Sequence, residues 1–283
     1  MKKIIKTRIS ELVKPVFKKM HIELVDHNDK WEDTRVADKF CPEIYFDRFG
    51  KTNYIKTIFD VGANKGNTAI GFTNAFPQAK IYAFEPVQET FNVLKDCTKN
   101  ISNIEPHHIG FGDSTGMFEI YLDDSFASVL NSLSPHINKQ DTKASKRVEW
   151  VQIDTIDSFC EQRRIEHINI LKSDTEGYDL NVLKGAKKLL SNGCIDFVIC
   201  EVSLQAENKQ NTNLFPVNEF MESNNFLLCG LYDIYYKPPY NYLYFCDAVF
   251  VNKNFRPYPH YHKMDMEVTI PFSNLSTVEQ FSN

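Results

Sequence analysis

Three carboxylates, Asp60, Glu85 and Asp174, each stand at the end of a short apolar run, and glycines follow two of them closely. In "FDVGANKGNTA" (59–69) the chain turns on Gly62, passes Asn64, and meets Gly66 where a helical pattern begins. Glycine at both positions allows tight dihedrals and a close backbone approach to a ligand. The spacing is G-x-N-x-G, unlike the G-x-G-x-x-G of dinucleotide enzymes, and there is no G-x-x-x-x-G-K-[ST] phosphate loop. Glu85, in "YAFEP" one apolar run later, is placed to accept two hydrogen bonds from ribose hydroxyls. An acidic first strand without a pyrophosphate cradle favours an adenosyl ligand bearing an amino acid, whose ammonium is drawn by Asp60 or nearby carbonyls. Asp113, in "GFGDSTG" (110–116), offers an acceptor to the adenine amino group, or is a solvated turn carboxylate.

A reacting end lies further along. Ligands of open α/β sheets sit beyond the carboxyl ends of the strands. The run "INILKSDTEGYD" ends there in Asp174, Glu176 and Gly177. Methyl transfer to a hydroxyl needs the acceptor held close and in line, with a group to take its proton. Asp174 is the candidate for that proton or for orienting the hydroxyl. Glu176 either assists or caps the helix starting near Tyr178. Glu201, ending "FVICEVS", adds a third rim carboxylate; three oxygen donors could hold a divalent cation, but the preferred reading has no metal. The eight histidines offer no third ligand at metal spacing.

These residues need a scaffold. Apolar runs at 57–62, 80–86, 104–113, 168–174 and 195–203 alternate with helical stretches at 67–76, 87–100, 155–163, 178–190 and 216–224. That rhythm predicts an α/β fold whose mostly parallel sheet has helices on both faces. Alternating patterns at 116–123 and 147–154 predict an inserted β-hairpin around a serine-rich stretch, 124–146, long enough for a lid. Runs at 226–233 and 246–253, joined by the turn-rich "IYYKPPYNY", make an antiparallel C-terminal hairpin and bring the sheet to seven strands. The expected organisation is a basic leader over 1–50, a catalytic domain over 51–255 with its insert at about 114–154, and a tail over 256–283.

Bulk properties narrow the classes. The chain has 283 residues, 42% hydrophobic and 24% charged, enough for a substantial core without disulfide staples. A net charge of −5 asks for no nucleic-acid partner. Seven scattered cysteines without a C-x-x-C pair read as reduced thiols in a cytoplasmic protein.

"FDVGANKGNTA", "YAFEP", "GFGDSTG" and above all "LKSDTEGYDLNVLKGA" (171–186) resemble the FkbM family of methyltransferases, whose pattern reads D-x-G-A-N-x-G, then F-E-P, then K-x-D-x-E-G followed by L-K-G-A. The resemblance covers roughly 57–203. It implies a Rossmann-like methyltransferase fold, S-adenosylmethionine as donor, and oxygen methylation of a saccharide, glycolipid precursor or secondary metabolite. Asp60, Gly62, Asn64, Gly66 and Glu85 match the cofactor part, and Asp174, Glu176 and Gly177 the strand-end part. Ser173 and Thr175 depart from positions that are more often apolar.

Outside the resemblance, apolar residues from Ile4 to Met20 recur at helical spacing among seven basic residues. Such a helix can lie on an anionic membrane surface, pack on its own domain, or join a homodimer. The P-P-Y of "KPPYNY" lacks the acidic, amide or serine residue that precedes it in amino-directed DNA methyltransferases, and reads as a loop at the substrate mouth. Two other functions compete: a noncatalytic binding protein on the same fold, and an NAD-dependent oxidoreductase, which the missing third glycine disfavours.

Overall fold

The computed structural model describes residues 54–122, 147–208, 210–240 and 242–255. The leader, the 124–146 stretch and the tail, including His260 and His262, lie outside the described residues.

Strands β1 (Thr57–Val61), β2 (Lys80–Phe84), β3 (Ile104–His107), β7 (Ile168–Ser173) and β8 (Ile195–Ser203) form the parallel part of the main sheet. The hairpin β10 (Phe226–Lys237) and β11 (Tyr242–Asn252) joins antiparallel to β8. The order is β10-β11-β8-β7-β1-β2-β3, and the two-residue β9 (Thr212–Asn213) adds an eighth strand beside β8. The chain order reverses between β1 and β7, which makes the crevice at their carboxyl ends the topological switch point.

Two cores explain the alternation along these strands. Ile58, Ile81, Ala83, Ile170, Ile199 and Val249 face α1 (Asn67–Ala75) and α2 (Gln88–Thr98). Phe59, Phe84, Leu171, Val198 and Phe250 face the other layer, α3 (Ile156–Arg163), α4 (Asp179–Lys184), α5 (Lys187–Ser191) and α6 (Leu214–Ser223). Phe59, Phe84, Phe111 and Phe159 pack edge to face or tilted at 4.6–5.8 Å on that second side. Truncating one such buried ring costs about 3–5 kcal/mol. Caps are local: Thr155 Oγ1 accepts from Ser158 N at the start of α3, and Asp157 accepts from Lys188 N and Leu189 N at the start of α5.

The inserted hairpin is present as β5 (Gly116–Leu122) and β6 (Arg147–Asp154). Three expectations change. The strand expected over 104–113 is two: β3 stays in the main sheet, while β4 (Gly110–Phe111) leaves it to pair with β6 in a second, three-stranded sheet. The helix expected over 178–190 divides at Gly185, where a side chain would come within 2.0 Å of the Gly112 carbonyl. The C-terminal strands run through most of "IYYKPPYNY", with Tyr236 opposite Leu243 and Lys237 opposite Tyr242, so the P-P-Y forms only the turn.

Candidate active site

The glycine turn after β1 is built from left-handed residues: Gly62 at φ 77, Asn64 at φ 50 and Gly66, the N-cap of α1, at φ 90. Gly62 is required by the protein itself. A Cβ there would lie 2.0 Å from the carbonyl oxygen of Asp174, so the β1 turn rests directly on the chain leaving β7. Glu85 ties the same turn to β2. Its Oε2 accepts from Asn64 N at 3.1 Å and its Oε1 from Val87 N at 2.9 Å. A carboxylate has about four lone-pair sites, which leaves Glu85 capacity for two hydroxyls. Burial pushes it up to about 7, against the pull of those two N–H groups.

A row of charge crosses the sheet beneath this turn. Asp60 and Lys172 are register partners in β1 and β7, and Glu201 and Asp247 are partners in β8 and β11. All four share the parity of Ile58, Ile170, Ile199 and Val249, so all four point to the α1 face. Lys172 Nζ is 2.9 Å from Asp174 Oδ2 and 3.8 Å from Asp60 Oδ1.

Asp60 is fully buried, and neither carboxylate oxygen closes a hydrogen bond, although Lys172 and the backbone at Ala69 stabilise its charge. Its position modifies the expected contact with an ammonium: in this conformation Asp60 presents no surface, and acts as negative charge behind the turn. Burial pushes Asp60 up to about 6. Asp247, pushed up by burial and held back by Lys172, reaches about 7. Glu176, half-buried and beside Asp174 and Asp179, is pushed up to about 8 by desolvation first and by those two carboxylates. Glu201, half-buried near Asp174, Glu176 and Asp179, is pushed up to about 9 by desolvation and by those carboxylates, and Asn211 Nδ2 donates to its Oε2. For Lys172, burial pulls the other way, but Asp174, Asp60 and Asp247 outweigh it and the net displacement is upward.

Glu176 is not a helix cap. The N-cap of α4 is Tyr178, with no side chain bonded there, and Glu176 sits in the loop at φ 50. The residue that organises the loop is Asp179, on the opposite face. It accepts from Ser173 Oγ (2.6 Å), Thr175 N (3.1 Å) and Thr175 Oγ1 (3.0 Å) on one oxygen and from Thr212 Oγ1 (3.0 Å) on the other. The departures at Ser173 and Thr175 are thereby explained: both hydroxyls serve Asp179.

Asp113 forms no hydrogen bond or ion pair with these side chains. It is exposed in the turn between β4 and β5, with Ser114 Oγ at 3.3 Å from its Oδ1. Sequence reasoning gave no role to Lys172, Asp247, Asn211 or Asp179. The Ser, Gln and Asn side chains of 203–211 were also unread, and they clamp the hairpin base: Ser203 Oγ and Asn208 Nδ2 donate to Tyr244 O, and Gln205 Nε2 to Leu243 O. Beyond that clamp the hairpin projects past the carboxyl end of β8, with Tyr235 stacked on Phe245 at 5.0 Å and Lys237 Nζ 4.0 Å from the Tyr244 ring centre. Among the described residues no three His, Cys, Asp or Glu side chains are grouped to hold a metal ion, and no helix is long and apolar enough to cross a membrane. Their six cysteines are free thiols.

The sheet order, the glycine turn at the switch point and the acids along its rim define a Rossmann-like methyltransferase fold. The Methyltransferase FkbM domain matches residues 60–228, and the chain belongs to that family. It is similar to Methyltransferase 1 of Beauveria bassiana (27% identity; 45% of this chain, 57% of that protein). It is also similar to the hexuronic acid methyltransferase AglP of Haloferax volcanii (29%; 56% and 60%) and the 2-O-methyltransferase NoeI of Sinorhizobium fredii (22%; 47% and 58%). The matched segment thus spans less than two thirds of each of these relatives. An FkbM methyltransferase structure from Methylobacillus flagellatus aligns over 70% of this chain and 43% of its own, at 16% identity and a TM-score of 0.46.

Proposed function

We propose that the protein is an S-adenosylmethionine-dependent O-methyltransferase acting on a saccharide-type hydroxyl. The observation that carries this reading is the seating of the Gly62 turn on the Asp174 carbonyl. It sets the donor-binding turn and the carboxylates at the end of β7 against each other, as in-line transfer requires. The residues suit the donor. Glu85 retains lone pairs for ribose hydroxyls, and the excess of carboxylates in the row, with Asp60 closing no hydrogen bond, favours a cationic ligand. Bound S-adenosylmethionine supplies an electrophilic methyl on a cationic sulfur.

Asp174, engaged by Lys172 through Oδ2, keeps Oδ1 to accept a hydrogen bond from the acceptor hydroxyl. As the hydroxyl oxygen is methylated, its proton passes along that hydrogen bond to Asp174 Oδ1, with Glu176 in the same loop as the assisting carboxyl group. Asp113 would meet the adenine amino group, its exposure leaving it accessible. The projecting hairpin places Tyr235, Phe245 and Lys237 beside the rim, a surface suited to a sugar face and an anionic substituent. The names of the two relatives that act on hexuronic acid or at a 2-O position support an oxygen acceptor. Cytoplasmic placement, peripheral membrane contact through residues 1–20 and a homodimer belong to the same proposal.

Isothermal titration with S-adenosylmethionine and S-adenosylhomocysteine tests the donor. We expect saturable heat with both, weakened by about 1–3 kcal/mol in Glu85→Ala, the range for a lost charged acceptor. Absence of heat with either ligand in the intact protein would sink the reading.

A further inference from the structure

Lys172 takes no proton in the chemistry above, yet it occupies the centre of the charged row. Its side chain is only 10% exposed, and its ammonium lies between Asp60 of β1 and Asp174 of the loop after β7. The other titratable groups around it are Glu176 in that loop, Glu201 on β8 and Asp247 on β11. Glu85 ends the β2 side of the row, Asp233 lies beside Asp247 on β10, and Asp179 stands on the opposite face of β7. Helix α1, which covers this face, reads NTAIGFTNA and contributes no charge. Among the described residues no second cation pairs with Asp60 or Asp174.

We propose that Lys172 is a positioning residue whose single ammonium is shared by Asp60 behind the donor turn and Asp174 on the acceptor side, so that the two ends of the site are set together. An ammonium held by two carboxylates restrains both. Moving either carboxylate, or removing its charge, releases Lys172 toward the other. The functional meaning rests on the proposed donor site, but the sharing itself is a property of the free protein and is measurable there.

The test is a ¹³C-carboxyl NMR titration of the full, ligand-free chain, with donor binding measured across the same pH range. In Lys172→Met, Asp60, already displaced to about 6, titrates at least about one pH unit higher, because the ammonium 3.8 Å from it is removed, and Asp247, already at about 7, moves in the same direction as it loses the charge that held it back. Lys172→Arg restores them. In Asp174→Asn the Asp60 midpoint moves down, since a like charge is lost and Lys172 is freed to pair with Asp60. The acid-side loss of S-adenosylmethionine affinity follows the Asp60 midpoint in each variant. A folded Lys172→Met protein in which Asp60 and Asp247 titrate as in the wild type overturns the proposal, as does an Asp60 midpoint indifferent to Asp174→Asn. Should the methionine variant not fold, the wild type still decides: its Lys172 Nζ must give an ammonium resonance at about pH 11, and a neutral amine there refutes the pairing. If the titrations behave as stated but neither nucleoside binds any variant, the donor assignment fails and the sharing stands.

Discussion

Asp60 and Asp179 are both fully buried aspartates near the carboxyl end of the same sheet, one on each face, and their surroundings are opposite. Asp179 accepts four hydrogen bonds from Ser173, Thr175 and Thr212. Asp60 closes none, and is stabilised only from further off, by one ammonium 3.8 Å away and the backbone at Ala69. A saturated buried carboxylate is part of the scaffold, since its hydrogen bonds offset its desolvation. An unsaturated one keeps its field for something else, and the scaffold must tolerate the cost. The lesson is that burial alone does not separate structural acids from functional ones; the count of donors around each does.

The largest effect should come from the acid that mediates between the two faces. Asp174→Asn is expected to lower turnover by about 100-fold or more, in the range for a displaced acid–base group, while donor affinity changes only a few-fold. Much weaker donor binding in this variant would move Asp174 from the reacting end into the donor site.

The comparison itself breaks or holds on a pair of variants. Asp179→Ala strands the hydroxyls of Ser173, Thr175 and Thr212 and should destabilise the protein by about 3 kcal/mol in denaturant unfolding. Asp60→Asn should leave unfolding stability unchanged within about 1 kcal/mol, or raise it, because a buried unbonded charge is removed. Its loss should appear as weaker S-adenosylmethionine binding. Equal destabilisation by both variants would erase the distinction between the faces.

Much of this was legible in the residues. The turn at Gly62, the strand-end acids and the two-faced alternation follow from periodicity and punctuation, and they place Asp60, Glu85 and Asp174 at one rim. The partition of buried charge was not legible, because it depends on strand order. Lys172 and Asp60 are 112 positions apart and meet only because β7 pairs with β1. Asp179 reads as an ordinary first-turn acid until β9 delivers Thr212 to it. The split of β3 from β4 escaped because β4 leaves to pair with the distant β6, and that of α4 from α5 because Gly185 meets the Gly112 carbonyl across the structure; neither segment marks the contact locally.

The smallest effect is a slope. Asp60, Glu85, Asp247, Glu176 and Glu201 are all displaced upward, to about 6, 7, 7, 8 and 9. Each therefore binds a proton in the folded state at pH values where the unfolded chain has released it. Stability falls as pH rises from about 5 and levels beyond about 9, once the folded state has also ionised. We expect the midpoint temperature of the ligand-free protein to drop by several degrees between about pH 5 and pH 9. Added S-adenosylmethionine should recover more of that loss at the upper end, where the row is most negative. A flat profile, or a rise toward pH 9, would mean that the row is better compensated than its contacts show.

The contact between Gly62 and the Asp174 carbonyl also bears on how such an enzyme can diversify. Two segments that leave no room for a methyl group between them behave as one casting, so a change of shape on either side displaces the other. For the proposed methyl transfer, new acceptor preferences are then most accessible away from the casting, along the β10–β11 hairpin, where exchanges leave the Gly62–Asp174 contact undisturbed.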